Sequence, residues 1–379
     1  MLLSYIKTLA IVHMLLGYIF ITSGLIVNFF MFCSCIIWPF SRSLYRRVNK
    51  YLAYSIWSQM VFLAEWWSGS EVEVVAPPED LKYYGKEHGL VVMNHKYDID
   101  WLAGWVLAER CGLLGSTKVY VKDSLRYVPV IGWSWHFTEA LFLKRNIEKD
   151  KKIIKEQLAE LTDYPPDLKV WILLFAEGTR FTEKKRLVSN EVARKKGLPE
   201  LKHHLLPRTK GFTLSMYALK GIMPVCYNCI LGFKDEGAAP TLSNILNGKK
   251  TVSQLVVRRL PLTDVPDDEE GASNWLIHRY KEMDDIYDEF TKKGEFSGHV
   301  SKLPRRKYDL FVWCFWAILL CTPLFYYVGK AFIFGSMYLQ IGVIVALFTV
   351  SLIVRMMVGV TQIERGSAYG KKNREKKED

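Results

Sequence analysis

Two residues that together make a base and its orienter, His95 and Asp100, stand in the string Gly89-Leu-Val-Val-Met-Asn94-His95-Lys96-Tyr97-Asp98-Ile-Asp100-Trp101. Its apolar half predicts a buried strand and its polar half a turn that opens a helix. His95 then falls at the carboxyl end of a strand, where open α/β sheets gather their ligands. Residues five apart on an ideal helix are rotated by ~140°, so the two side chains meet only if the helix begins after His95. Asp98 is then the expected N-cap, and Asp100 lies in the first turn. In that geometry Asp100 accepts the proton of one ring nitrogen, and the other ring nitrogen can take a proton from an attacking hydroxyl. No Ser or Cys nucleophile is required if an incoming alcohol attacks a thioester directly. By itself the pair also fits a structural histidine beside a carboxylate at a helix N-terminus.

A second polar turn follows an apolar run in Phe175-Ala176-Glu177-Gly178-Thr179-Arg180. Arg180 offers a planar fork suited to phosphate. Gly178 lets the backbone come close to a ligand, and Glu177 can orient Arg180 or contact a substrate hydroxyl. A surface turn with a local ion pair has the same composition. Lys144-Arg145, and Lys210 within Pro207-Arg208-Thr209-Lys210-Gly211, can add cations to a phosphate site. The runs Lys184-Lys185-Arg186 and Arg194-Lys195-Lys196 read as a charged surface outside the reaction centre. The seven cysteines form no framework and read as reduced thiols. Cys226 and Cys229 make a lone CxxC without the second pair that zinc needs, and the neighbours His203 and His204 diverge, so no metal is expected.

These strings must be carried by a sheet. Gly89–Met93 and 170–175 read as buried strands, and the stretch 216–231 is expected to contribute another. Residues 148–161 and 273–290 have helical spacing. The alternation argues an α/β domain over residues 68–307.

Flanking it are apolar segments. From Leu9 to Pro39 there is no Lys, Arg, Asp or Glu, which exceeds the ~20 residues that a helix needs to cross a bilayer. A secretory leader has a shorter apolar core and a small-residue cleavage site, and this run ends in Trp38, Pro39 and Phe40. Residues 51–67 hold Trp57, Trp66 and Trp67 and fit an interfacial helix, a fold-back partner or a core helix. Residues 1–67 therefore form an N-terminal membrane helix or a two-helix motif. Runs 310–328 and 337–354 read as a transmembrane hairpin within 308–360, and 361–379 is a basic tail. Arg42, Arg46, Arg47 and Lys50 after the first span, and Arg305, Arg306 and Lys307 before the hairpin, put the domain and the C-terminus in the cytosol and the N-terminus in the lumen. Lys376 and Lys377 look like a dilysine signal for the endoplasmic reticulum, with the Golgi as a second residence. The net charge of +12 then fits anionic lipid or phosphorylated ligands better than nucleic acid.

Taken in order, the strings resemble the four blocks of the glycerolipid acyltransferase family that includes the 1-acylglycerol-3-phosphate acyltransferases. The first block matches Asn94-His95-xxxx-Asp100, the second Phe142 to Arg145, the third Glu177 to Arg180 and the fourth Gly221-Ile-Met-Pro224-Val225. The string from Glu177 through Lys196, with Leu205 to Phe212, is similar to the animal gamma and delta branch. Ala176 stands where many members have Pro, and Leu-Lys-Arg replaces the commoner Ile-Asp-Arg. The resemblance implies acyl transfer from acyl-CoA, a co-substrate, to the sn-2 hydroxyl of lysophosphatidic acid, with no cofactor. It implies that His95 and Asp100 are catalytic, that Asn94, Arg145, Glu177, Gly178, Thr179 and Arg180 belong to the acceptor blocks, and that Pro224 lies on the acyl-CoA side. A different lysophospholipid acceptor, or a non-enzymatic protein that binds anionic lipid at the bilayer, are the alternatives.

Overall fold

The computed structural model describes residues 2–144 and 146–360. Arg145 and the paired lysines of the tail lie outside the described residues. Eight strands, β1 (Glu71–Val75), β2 (Gly89–Met93), β3 (Thr117–Lys122), β4 (Leu141–Leu143), β5 (Trp171–Leu174), β6 (Val225–Phe233), β7 (Val252–Pro261) and β8 (Val300–Ser301), form one sheet in the order β4-β3-β5-β2-β6-β7-β1-β8. The five strands from β4 to β6 run parallel, and β7 pairs antiparallel with β6. The expected third strand thus begins at Val225. The residues before it form a helix, which a left-handed Gly221 (φ +83°) closes off.

In chain order the helices are α1 (Leu2–Lys7), α2 (Ala10–Ser34), α3 (Arg42–Phe62), α4 (Asp100–Arg110), α5 (Ile131–Phe137) and α6 (Ile147–Ala159). They continue with α7 (Glu183–Lys195), α8 (Thr209–Leu219), α9 (Leu242–Leu246), α10 (Glu269–Lys293), α11 (Tyr308–Phe334) and α12 (Met337–Val360). Every residue of β2 and β6 is buried, as expected of strands covered on both faces. Val91, Met93, Tyr227 and Cys229 face α2, α3, α4 and α11, where Ile56, Trp57 and Leu102 complete one core. Leu90, Val92 and Ile230 face α6, α8 and α10, where Leu158, Phe212 and Leu276 complete the other. The chain is therefore a mixed α/β fold with a helical layer on each face of the sheet.

α3 folds back on α2, where Gln59 Nε2 donates to Ser23 Oγ at 2.9 Å, and its other face enters the core, where Trp57 is fully buried and stacks on Trp105 at 5.4 Å. The N-terminal region thus shares one hydrophobic core with the sheet. Residues Ala10–Ile37 and Tyr308–Phe334 are long and apolar enough to cross a membrane. Phe62 stacks on Trp313 at 4.1 Å, and Trp316 donates to Ser55 Oγ at 2.8 Å, which moors α11 to α3.

Candidate active site

Asn94 fixes the end of β2. Its Nδ2 donates to the Leu231 carbonyl at 3.1 Å and its Oδ1 accepts from the Leu231 N–H at 2.8 Å, so this buried amide is a peg between β2 and β6. His95 follows, with Nδ1 3.1 Å from Asp100 Oδ2. That same oxygen accepts from the N–H groups of Lys96 at 2.6 Å and Tyr97 at 2.9 Å. α4 begins at Asp100, after His95, as the meeting of the two side chains requires. The cap differs from expectation: Ile99 occupies the N-cap position without a side-chain bond. Asp100 itself closes the turn, and Asp98 instead accepts from Arg180 Nη1 at 2.9 Å. The imidazole stacks on Phe175 at 4.1 Å, which leaves Nε2 as the ring nitrogen available to a substrate.

Glu177 does not pair with Arg180 but holds backbone. Its buried carboxyl accepts from the His95 N–H at 2.8 Å through Oε1 and from the Leu205 N–H at 3.1 Å through Oε2. Burial pushes this carboxyl up to about 8, against the pull of the two N–H groups. Arg180 is oriented by Asp98 instead. Gly178 takes a left-handed conformation (φ +69°), and a Cβ there would stand 2.9 Å from Cδ of Arg208. Arg208 thus closes over the loop, while its neighbour Lys210 points away and pairs with the exposed Glu269 at 3.0 Å. Lys185 also departs from the charged-surface reading. It is buried, and its Nζ donates to Thr179 Oγ1 at 3.0 Å and to the Arg180 carbonyl at 2.9 Å. Burial, then the charge of Arg180, lowers its ammonium. Sequence reading missed Arg208 and Lys185 as individuals although both stood in basic clusters it had marked.

His95, Thr179, Arg180 and Lys185 share a cavity of about 770 Å³, within the range of ligand pockets. Its remaining wall is mainly apolar and runs under the sheet from β3 to β7, with Trp101, Trp105 and Phe20 among the lining side chains. Lys122, at the end of β3, adds a further cation to the rim. Lys144 and Pro224 lie elsewhere. Lys144 is exposed at the end of β4, three strands from β2, where its N–H donates to Asp150 at 2.7 Å. Pro224 precedes Val225, which pairs with Gly89 at the opposite end of β2 from His95. Among the described residues no group of His, Cys, Asp and Glu is placed to hold a metal ion. Cys226 and Cys229 are buried, and burial raises both thiols.

The family model described as "Acyltransferase" matches residues 73–228, and "Acyltransferase C-terminus" matches residues 244–316. The 1-acyl-sn-glycerol-3-phosphate acyltransferase gamma of Mus musculus is 46% identical over 377 residues, 100% of each chain. The gamma protein of Homo sapiens is 45% identical over the same extent. The delta protein of Bos taurus is 44% identical over 369 residues, 97% of each chain. This chain belongs to the 1-acyl-sn-glycerol-3-phosphate acyltransferase family, alongside its animal gamma and delta members.

Proposed function

We propose that the chain transfers a fatty acyl group from acyl-CoA to the sn-2 hydroxyl of lysophosphatidic acid, giving phosphatidic acid and CoA. The observation that carries this reading is the His95–Asp100 pair on the wall of a large apolar cavity, next to a loop that presents Arg180. Asp100 holds the Nδ1–H tautomer of His95, and Nε2 takes the proton of the acceptor hydroxyl as its oxygen attacks the thioester carbon. The C–S bond then breaks, and the proton passes from His95 to the leaving thiolate. Arg180 and Lys185 supply positive charge for the acceptor phosphate, with Thr179 between them. The apolar cavity takes acyl chain. Two long apolar helices support association with a membrane, and the endoplasmic reticulum, with the domain facing the cytosol, is the proposed residence.

The test is thiol release from acyl-CoA by purified protein, with lysophosphatidic acid and with lysolipids of larger headgroup offered in competition. His95→Ala should abolish turnover, and Arg180→Ala should raise KM for the acceptor far more than it lowers kcat. A folded wild-type protein that releases no thiol with any lysolipid would leave the chain a lipid-binding protein. Preference for a larger headgroup would reassign the acceptor and keep the chemistry.

A further inference from the structure

The cavity has an exposed rim that catalysis does not explain. Leu125 and Val128 line it and are also 38% and 39% exposed, so it opens outward between them. They flank Tyr127, which is 73% exposed, and Trp133 is exposed on the same segment. This segment lies at the end of β3, two strands from β2 and hence about 10 Å from the His95 strand.

The segment is fastened to α2. Val130 sits at φ +67°, an uncommon conformation for a β-branched residue. Gly24 of α2 meets it so closely that a Cβ there would stand 2.3 Å from Val130 Cγ1. Asn28 of α2 donates to the Val130 carbonyl at 3.0 Å. An amide within a long apolar helix is costly unless paired; the Asn28 Nδ2 group is shared between this carbonyl and that of Gly24 at 2.8 Å, while its Oδ1 has no partner among the described residues. The Val130 carbonyl also accepts from the Ser134 N–H at 3.0 Å, so this loop oxygen is met by protein donors, the condition for irregular backbone at membrane depth. One residue round the helix from Gly24 and Asn28, the exposed Leu25, Phe29 and Phe32 form an apolar stripe at helical spacing. α2 is therefore joined to the rim through Gly24, Asn28 and Val130. The rim itself is mixed: the apolar Leu125, Tyr127 and Val128 stand beside Lys122 and Arg126, which pairs with Asp123 at 2.9 Å, basic chains of the kind that keep their charge at headgroup level.

We infer that the Ser124–Trp133 segment is sunk in the bilayer beside α2 and forms a lateral mouth through which the acyl chain of the single-chain lipid acceptor slides between membrane and cavity. The inference rests on the proposed acceptor class and adds its route. Tyr127 and Trp133 carry apolar rings with polar tips, as residues at a membrane interface do.

The test uses full-length protein in phosphatidylcholine liposomes. A nitroxide on Tyr127→Cys should relax with bilayer-dissolved oxygen and be shielded from a water-soluble nickel chelate, whereas one on Glu289→Cys, exposed on α10, should show the reverse. Equal nickel access at both sites overturns the inference. Tyr127→Glu should cut turnover of a long-chain acceptor in vesicles by roughly tenfold and leave a short-chain, water-soluble acceptor unchanged. Equal losses on both acceptors, or none, also overturn it. Val128→Trp should raise KM for the long-chain acceptor without moving the label, and an unchanged KM places the mouth elsewhere. If wild type is inert on both acceptors, the enzymatic reading fails instead, and label depth still decides whether the segment meets the bilayer.

Discussion

At the scale of single residues, the site is organised by two buried carboxyl groups with different tasks. Asp100 uses one oxygen for the imidazole and for two backbone N–H groups, so its loss would release the ring and the turn together. Asp100→Asn, which can still accept those N–H bonds, should fold normally and lose about 10²–10⁴-fold in kcat, the worth of a general base. Steady-state kinetics beside thermal unfolding would check both halves. Glu177 is held at about 8, above its ordinary 4.5. Between those values the folded chain keeps a proton that the unfolded chain has lost, so this group's contribution to stability falls as pH rises from about 5 to 8. The unfolding midpoint in detergent should decline over that window, and Glu177→Gln should flatten the decline. A slope identical in wild type and variant would show that Glu177 is ionised throughout. The pair His95–Asp100 was legible because strand, turn and spacing are local. The role of Glu177 was not, because its partners are the backbone N–H groups of His95 and of Leu205, both brought to it by the fold.

Elements behind the site decide how well it is held. Asp284 of α10 accepts from the N–H groups of Lys202 at 2.8 Å, His203 at 2.7 Å and His204 at 3.1 Å, which fixes the segment that ends in Leu205. Tyr287 of the same helix meets the Tyr97 hydroxyl at 2.7 Å, beside the turn that Asp100 closes. α10 therefore supports His95 through Glu177 and Asp100 through Tyr97. Asp284→Ala should lower kcat about tenfold through misplacement of the base while KM for the acceptor stays near wild type. An equal fall in active protein and in activity would instead mark a folding role. The 3.6-residue period revealed α10 as a helix, but no period tells which buried carboxylate reaches a loop some eighty residues earlier. On the opposite face, Gly104 of α4 lines the cavity, and a Cβ there would meet only Met93 Cε at 3.8 Å. Gly104→Leu should keep or strengthen the helix, since glycine costs about 1 kcal/mol there relative to alanine, and fill cavity space. Long acyl-CoA chains should then be used less well than short ones in a donor series.

The whole molecule bears on topology, where charge counting and packing disagree. The basic residues after α2 put its end in the cytosol and the N-terminus in the lumen. Yet both ends of α2 touch the catalytic fold. At the start, Lys7 donates to the Trp67 carbonyl, and Trp67 donates to the Leu246 carbonyl at 2.8 Å. Beyond the far end, Asn49 holds Ser34 Oγ at 2.8 Å, and Arg46 pairs with Glu139 at 2.9 Å. A helix of 25 residues spans about 37 Å, so a crossing along its axis would carry one of these contacts, and part of a single sheet domain, through the bilayer. Lying within one leaflet against the domain avoids that, and it leaves the exposed Leu25, Phe29 and Phe32 to lipid. The charge rule presupposes a span, and neither the length nor the apolar composition of a helix records what both its ends touch. α11 differs: it is apolar, largely exposed and moored through its first half, by Asp309, Trp313 and Trp316. The N-terminus should therefore lie on the same side as the catalytic domain. An N-terminal epitope should be as open to antibody as one inserted at the exposed 235–237 turn when only the plasma membrane is permeabilised. Protection of the N-terminal epitope alone would restore the crossing and require the contacts of Lys7 and Trp67 to break in the membrane.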